Sequence, residues 1–442
     1  MARVVIVGAG FAGYRAAQAL HRTLGAEAEI VLINPTDYFL YLPLLPEVAG
    51  GVLDPRRLAV SLTATLPGVR LQLGYVDRID LATRTVHHID PEGRAGAVTY
   101  DRLVVTAGSV NKVLPVPGIA DHAHGFRSIP EALYLRDHVI RQVELAASTE
   151  DAEERAARLT FVVVGAGYTG TEVAAAGHLL TRSLLRRRPA LRDTPVRWLL
   201  LDRASRVLPE LRPRLSRSAA RTLGRRGVEI RTGTSVSEAT TGGVRLTDGR
   251  FVPTRTVVWT VGVRPEPLVD ALGLAAVEGR VRVDEYLRVP GHPDVFACGD
   301  VAAVPDLTRP GELTAMTAQH AERQGKAVAR NVAASLGHGS ERPYRHRDLG
   351  LVVDLSGMKA VADPLGVPLT GFAAKVATRG YHLLAMPANR FRILLDWVVD
   401  ACTRRQAVQL GLVRSPAVRL DTTQPATTPP RSPHAAVGSV AG

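Results

Sequence analysis

Two glycine triplets carry the first chemical signal in this sequence. Gly8, Gly10 and Gly13 sit in VVIVGAGFAGYRAA (Val4–Ala17); Gly165, Gly167 and Gly170 recur in TFVVVGAGYTGTEVA (Thr160–Ala174), displaced by 157 positions. Each triplet follows four strongly β-forming residues and opens a helical pattern. There the bare backbone N–H groups and the helix dipole can hold a pyrophosphate. One such phrase is weak evidence, but two in the same context predict two dinucleotide sites and a chain that moves electrons between them.

Four polar residues suit that chemistry. Asn34 ends the strand 26 positions after Gly8, where it can hydrogen-bond a ribose diol without excluding a phosphate by charge. Asp202 ends the matching strand 37 positions after Gly165; it is placed to accept from a ribose 2′-hydroxyl and repel a 2′-phosphate, favouring NADH, although Arg203 beside it tempers the preference. Asp300 follows Gly299 at a strand end and can accept hydrogen bonds from a flavin's ribityl chain. Alone it would read equally as a helix N-cap, and the two upstream motifs favour the flavin. Glu172 lies two past Gly170 in a first helical turn, within reach of a nicotinamide and a flavin. Burial there would raise its pKa and let it relay protons, whereas an acid in a first turn is also commonplace through the dipole alone.

The elements that must position these residues alternate strand and helix. The readings are a helix over 14–24 with strands at 29–34, 76–80, 85–89 and 102–105, then one long helical stretch over 129–159. Strands at 196–201, 227–230, 244–247 and 256–261 follow, with Asp248-Gly249 as a hairpin turn. The phrases LVVTAGS at Leu103 and VVWTVGV at Val257 repeat the end of each unit. Thr106, Ala107 and Gly108 are small enough for backbone to approach a cofactor, and Gly262 holds the matching place in the second unit. The apolar, proline-broken loop 38–51 is expected over the flavin ring. A helix over 314–331 is expected to aim its first-turn amides at the flavin N1/O2 edge, with Ala318 on its packed face and Gln319 and Gln324 where a core helix would prefer aliphatics.

The fold class expected is α/β: two Rossmann-like dinucleotide-binding domains, the second inserted in the first, plus a C-terminal membrane-association region. The boundaries read as 1–114 and 268–336 for the FAD-binding domain, 115–267 for the NADH-binding domain, 337–420 for the C-terminal membrane-association region, and 421–442 for a disordered Thr/Pro-rich tail. The stripe Phe391, Leu394, Leu395, Val398 and Cys402 within 381–402, flanked by Arg390, Arg392, Arg404 and Arg405, suits the headgroup boundary of an anionic membrane. A dimer or core-packing helix is its competitor.

Composition bounds the function. The net charge is +13, but lysine occurs only at 112, 326, 359 and 375, so arginine enrichment explains much of it. No basic stripe interleaved with aromatics points to nucleic acid. The two cysteines, Cys298 and Cys402, form no CxxC, which fits a reducing compartment and removes the dithiol of a disulfide reductase. No metal site is expected. Without a leader or a spanning run, the chain is expected on the cytoplasmic side of the cell membrane as a peripheral protein.

With these pieces in place the chain resembles the type II NADH dehydrogenases, single-chain FAD-containing NADH:quinone oxidoreductases of the two-dinucleotide flavoprotein superfamily. The resemblance rests on Pro43-Leu44-Leu45 with Glu47, VVWTVG at Val257–Gly262, Gly299-Asp300, GAGYTGTE at Gly165 and Ala318-Gln319…Gln324-Gly325. It implies FAD at Gly8, Gly10, Phe11, Ala12, Gly13, Asn34, Pro43, Leu44, Thr106–Gly108, Gly299, Asp300 and Ala318, and NADH at Gly165, Gly167, Tyr168, Thr169, Gly170, Asp202 and Gly262. It further implies catalytic roles for Glu172, Gln319 and Gln324, a membrane quinone such as menaquinone as acceptor, no proton pumping, and a homodimer. Tyr168 stands where that family commonly has proline, Asn34 where it often has an acid, and Thr-Ala-Gly at 106 where Ala-Thr-Gly is usual. The rivals are a soluble diaphorase passing electrons to a protein, and a redox-sensing flavoprotein that regulates a partner.

Overall fold

The computed structural model describes residues 1–191, 193–346, 349–405 and 407–421. The tail reading over 422–442 therefore lies outside the described residues.

Two mainly parallel sheets, of six and five strands, form the body, and the five parallel strands of each run in the same order. The first runs Arg288–Val289, His292–Ala297, Arg102–Val105, Ala2–Val7, Ala28–Asn34, Arg70–Leu73, with only the Arg288 edge strand antiparallel. The second runs Ala123–His124, Thr256–Trp259, Thr160–Val164, Arg197–Asp202, Val228–Thr232, all parallel. Strands buried on both faces need continuous apolar runs, which is why Val4–Ile6 and Phe161–Val163 are fully enclosed. Each unit also carries an antiparallel three-stranded sheet, Tyr75–Asp80 with Thr85–Ile89 and Ala95–Thr99, and Val236–Thr240 with Gly243–Leu246 and Phe251–Pro253. Asp248-Gly249 turns the last hairpin as expected, with Gly249 N–H bonded to Leu246 O.

The chain crosses between units through Ser109–Asn111 and returns through Val263–Pro265, and these segments pair antiparallel with each other. The helix Ala318–Ser335 then packs on Phe11–Leu24, the first glycine helix, and Arg15 bridges to Glu322 at 2.8 Å across that contact.

Several elements differ from the sequence reading. The stretch expected as one helix over 129–159 is two, Ile129–Ser148 and Ala152–Arg158. Asp151 accepts from Glu153 N–H and Glu154 N–H, so a side chain that competes for backbone donors starts a new helix there. The helix expected to start at Thr314 starts at Ala318, because Thr317 caps it by accepting from His320 N–H at 3.3 Å. The helical segment expected over 381–402 is divided between the helices Gly371–Ala385 and Arg390–Cys402, with the whole apolar stripe on the second, and Asn389, at φ 63°, turns the chain between them. These pack beside a small antiparallel sheet of Val352–Asp354, Ala360–Ala362 and Leu369–Thr370. No described helix is long and apolar enough to cross a membrane.

Candidate active site

Each glycine turn is built the same way. Gly8 has φ 93° and Gly165 φ 104°, a left-handed backbone that glycine alone adopts without strain. A Cβ on Gly13 would meet Gly8 O at 1.8 Å, and one on Gly170 would meet Gly165 O at 1.8 Å. Behind each turn a threonine hydroxyl binds two carbonyls: Thr106 donates to Val7 O and Gly8 O, and Thr260 to Val164 O and Gly165 O. The repeat thus reaches to the ends of both units.

Both glycine helices begin without a side-chain cap, at Gly10 and Gly167. Their first-turn N–H groups are left for an anion at the positive end of the dipole. At the first, Ala9–Ala12 wall a cavity of about 470 Å³ together with Asn34, Tyr38, Gly108, Ser109, Arg127, Gly299, Asp300 and Ala318. A Cβ on Gly10 or Gly108 would project into open space, so bare backbone faces this cavity. Among the described residues Arg127 is its one cationic lining residue, and Asp300 Oδ2 accepts from Ser109 Oγ at 2.5 Å. Uncapped amides with one arginine for a diphosphate, and a carboxylate for a polyol chain, fit FAD.

The other predicted residues of the first unit fall in or behind this wall. Asn34 Oδ1 accepts from Ala9 N–H at 2.8 Å while its amide donates to Thr36 O, so the side chain holds the glycine turn as well as facing the cavity. In the second unit Asp202 does the same, accepting from Ala166 N–H at 2.5 Å and Ala204 N–H at 2.7 Å. Thr106 is buried against the turn, Ala107 lies beside it half-buried, and Leu44 is in the core. Gly262, at φ 112°, follows Thr260 at the end of the second unit.

A second cavity, of about 340 Å³, adjoins the first: Leu42, Phe126, Thr169, Met316 and Ala318 line both. It is mostly apolar, with Pro43, Leu45, Leu351 and Ala377 among its walls, and Tyr168, Glu172, Gln319, Tyr381 and His382 supply its polar groups. The segment 38–51, expected as a loop, is instead a short strand Tyr38–Leu40 and a helical stretch through Leu45–Ala49, and it faces both cavities. Gln319 is tied to the facing segment, accepting from Leu349 N–H at 3.0 Å and donating to Gly350 O at 3.1 Å. Gln324 lines neither cavity. Its Oε1 accepts from Gly299 N–H at 2.8 Å and its amide donates to Thr314 Oγ1 at 3.0 Å, so it shapes the loop that carries Asp300.

Glu172 and Asp354, both partly buried, form with the buried Glu47 and Lys375 a cluster of three carboxyls and one ammonium. Glu172 Oε1 accepts from Asp354 N–H at 2.8 Å; Lys375, 2% exposed, donates to Asp354 Oδ2 and stands 3.6 Å from Glu47 Oε1; Trp397 Nε1 donates to Glu47 Oε2. Burial drives the Glu172 carboxyl well above the usual carboxylate range. Burial likewise pushes Glu47 up to about 7, against the opposing pull of Lys375. Glu172 and Glu47 therefore hold protons that exposed glutamates would release.

Sequence reasoning missed Arg127, Lys375, Asp354 and His382 as site residues, and it quoted Glu47 only as part of a family phrase. One signal was present for Lys375: it is one of four lysines in a chain whose other cations are all arginine. Lysine is the cation that can exchange a proton when buried. Cys298 is buried with its thiol pushed well up by burial, and Cys402 is exposed, so no dithiol serves the site.

A fold of two matched dinucleotide units joined at a shared cavity defines a class, the two-dinucleotide flavoproteins. Residues 2–325 match the family model described as pyridine nucleotide-disulphide oxidoreductase. The chain is 35% identical over 422 residues to the type II NADH:quinone oxidoreductase Ndh of Mycobacterium tuberculosis, covering 91% of this chain and 89% of that one. It is 29% identical over 411 residues to the demethylphylloquinone reductase NdbB of Synechocystis, covering 90% and 95%. Among solved structures it is similar to NDH2 from Plasmodium falciparum in complex with NADH, with TM-score 0.85 at 16% identity, covering 92% of this chain and 99% of that one. The chain belongs to the type II NADH:quinone oxidoreductase family.

Proposed function

We propose that this protein transfers electrons from NADH through FAD to a membrane quinone, without pumping protons. The observation that carries the reading is the pair of adjoining cavities: one ringed by bare backbone amides, the other apolar and edged by a proton-holding carboxyl cluster. FAD, when bound there, would supply the two-electron relay between NADH and the quinone.

The protein's own residues then orient, exclude water and hold protons. Gly10–Ala12 and Arg127 would hold the FAD diphosphate, Asp300 its polyol chain, and the Ala318 helix start would face the ring. At the second turn, Gly167–Thr169 would hold the NADH diphosphate. Asp202 places a carboxylate, already fixed by two amides, where a 2′-hydroxyl is accepted and a 2′-phosphate repelled. Glu172 would hold at its carboxyl a proton for the reduced quinone oxygen, with the raised Glu47 carboxyl in the cluster behind it.

This connectivity supports dividing the chain at 114/115, 267/268 and 336/337, with the last segment acting as the membrane-docking part. Phe372, Leu384, Phe391, Leu394, Leu395, Val398 and Val399 are all exposed, whereas Ile393 and Trp397 of the same region point inward. An apolar face turned outward with Arg390 and Arg392 exposed beside it favours an anionic bilayer over the soluble diaphorase reading. The cytoplasmic side, menaquinone as acceptor and a homodimer through this segment complete the proposal.

The test is an anaerobic spectrum of the purified yellow protein. NADH should bleach the flavin, NADPH should do so less efficiently, and a menaquinone analogue should restore the oxidised spectrum. Bleaching without recovery would leave the NADH half and remove the quinone half.

A further inference from the structure

His382 is 5% exposed, on the helix Gly371–Ala385, and it lines the apolar cavity. Its Nδ1 lies 3.1 Å from the hydroxyl of Tyr41, which is 2% exposed and has no other hydrogen-bond partner among the described residues. Burial drives the Tyr41 phenol far above its ordinary pKa, so the phenol keeps its proton. Burial also lowers His382 to about 4, so its ring is neutral at pH 7. A neutral phenol whose one hydrogen-bond partner among the described residues is a ring nitrogen donates to that nitrogen, and a neutral imidazole that accepts at Nδ1 carries its proton on Nε2. That Nε2 has no partner among the described residues, and it is absent from the sealed polar atoms that lack one. It is therefore a neutral N–H donor that is not sealed off, on a residue that lines the cavity.

The contrast with Gln319 sharpens its meaning. The Gln319 amide is engaged by Leu349 N–H, Gly350 O and Arg323. Glu172 spends one oxygen on Asp354 N–H. A quinone presents two carbonyl acceptors on a flat apolar ring, and a mostly apolar cavity needs donors fixed in direction to orient it.

We propose that His382, with its tautomer set by Tyr41, donates a hydrogen bond from Nε2 to a carbonyl oxygen of the quinone, making His382 a quinone-contacting residue and Tyr41 its positioning residue. No bond is made or broken in this contact. It orients the ring and favours the negative charge that develops on that oxygen as electrons arrive. The inference rests on the quinone reading above and deepens it.

The flavin-loaded full chain tests it with a soluble menaquinone analogue. His382→Leu should lower quinone kcat/KM by roughly tenfold, mainly through KM, as expected for a lost neutral hydrogen bond. The rate of flavin bleaching by NADH serves as internal control. His382→Gln, which returns an N–H donor near Nε2, should recover part of the loss. Tyr41→Phe keeps the ring and its packing, so it remains informative if His382 variants fold poorly; it should weaken quinone use less than His382→Leu does. In ¹⁵N NMR the wild-type ring should show the Nε2-protonated form and Tyr41→Phe a mixture. Unchanged quinone kcat/KM in both variants, or an equal fall in bleaching and reoxidation, would overturn the contact. An Nδ1-protonated wild-type ring would overturn the role of Tyr41. If the wild type is bleached by NADH but no quinone reoxidises it, the underlying quinone reading fails first, and that result is distinct from either.

Discussion

At Glu172 and Glu47 the chemistry is set by burial rather than by residue type. With its carboxyl well above the usual range, Glu172 holds a proton at neutral pH where an exposed glutamate would not. Glu172→Gln preserves shape and the acceptor for Asp354 N–H, so flavin content should be normal while turnover with quinone falls on the order of 100-fold, the scale of a lost proton donor. Steady-state rates against flavin absorbance decide it, and unchanged rates would remove Glu172 from the chemistry. Glu47 gives a pH prediction. Below about 4.5 it is protonated in folded and unfolded chains alike. Between about 4.5 and about 7 the unfolded chain releases the proton while the folded chain keeps it, so this group's contribution to stability is lost as pH rises across that window. Glu47→Gln cannot ionise. Its Tm relative to wild type should therefore climb from pH 4 to pH 8; a constant difference would show that Glu47 titrates as an ordinary acid.

At the scale of elements, the two glycine turns are mechanically alike and chemically separable. A Cβ at Gly13 or Gly170 lands on the carbonyl at the start of its own turn and must push the helix off the strand. Gly170→Ala should cost on the order of 100-fold in kcat/KM for NADH, the scale of an ångström of misplacement, and leave flavin bound. Gly13→Ala should instead lower the flavin-to-protein ratio. If both variants lose flavin equally, the assignment of one cofactor to each turn is wrong. The elements themselves were unevenly legible. Strands 85–89 and 102–105 coincide with the observed ones because their residue patterns are local. The split of 129–159 was not legible, because Asp151 competes with the helix only through its capping geometry.

The whole molecule turns one apolar face outward at its C-terminal helices. Leu395→Glu with Val398→Glu alters exposed positions on that face while leaving Ile393 and Trp397 packed, so folding should be nearly unchanged. Binding to vesicles containing anionic lipid should drop roughly tenfold in co-sedimentation, and wild-type binding should weaken as salt is raised. Equal partitioning of variant and wild type would transfer the face to a protein partner. By itself the sequence determined the doubled dinucleotide frame, its glycines, and the polar residue, Asn34 or Asp202, that ends the second strand of each unit. Those signals are local: a turn that admits only glycine and a strand buried on both faces restrict residue choice wherever they occur. Only the tertiary structure decided which distant residues share a site. Glu47, Glu172, Asp354 and Lys375 come from four separate segments, as do Tyr41 and His382 from two. Nothing in their spacing foretells contact, and their protonation follows from the water that folding removes around them.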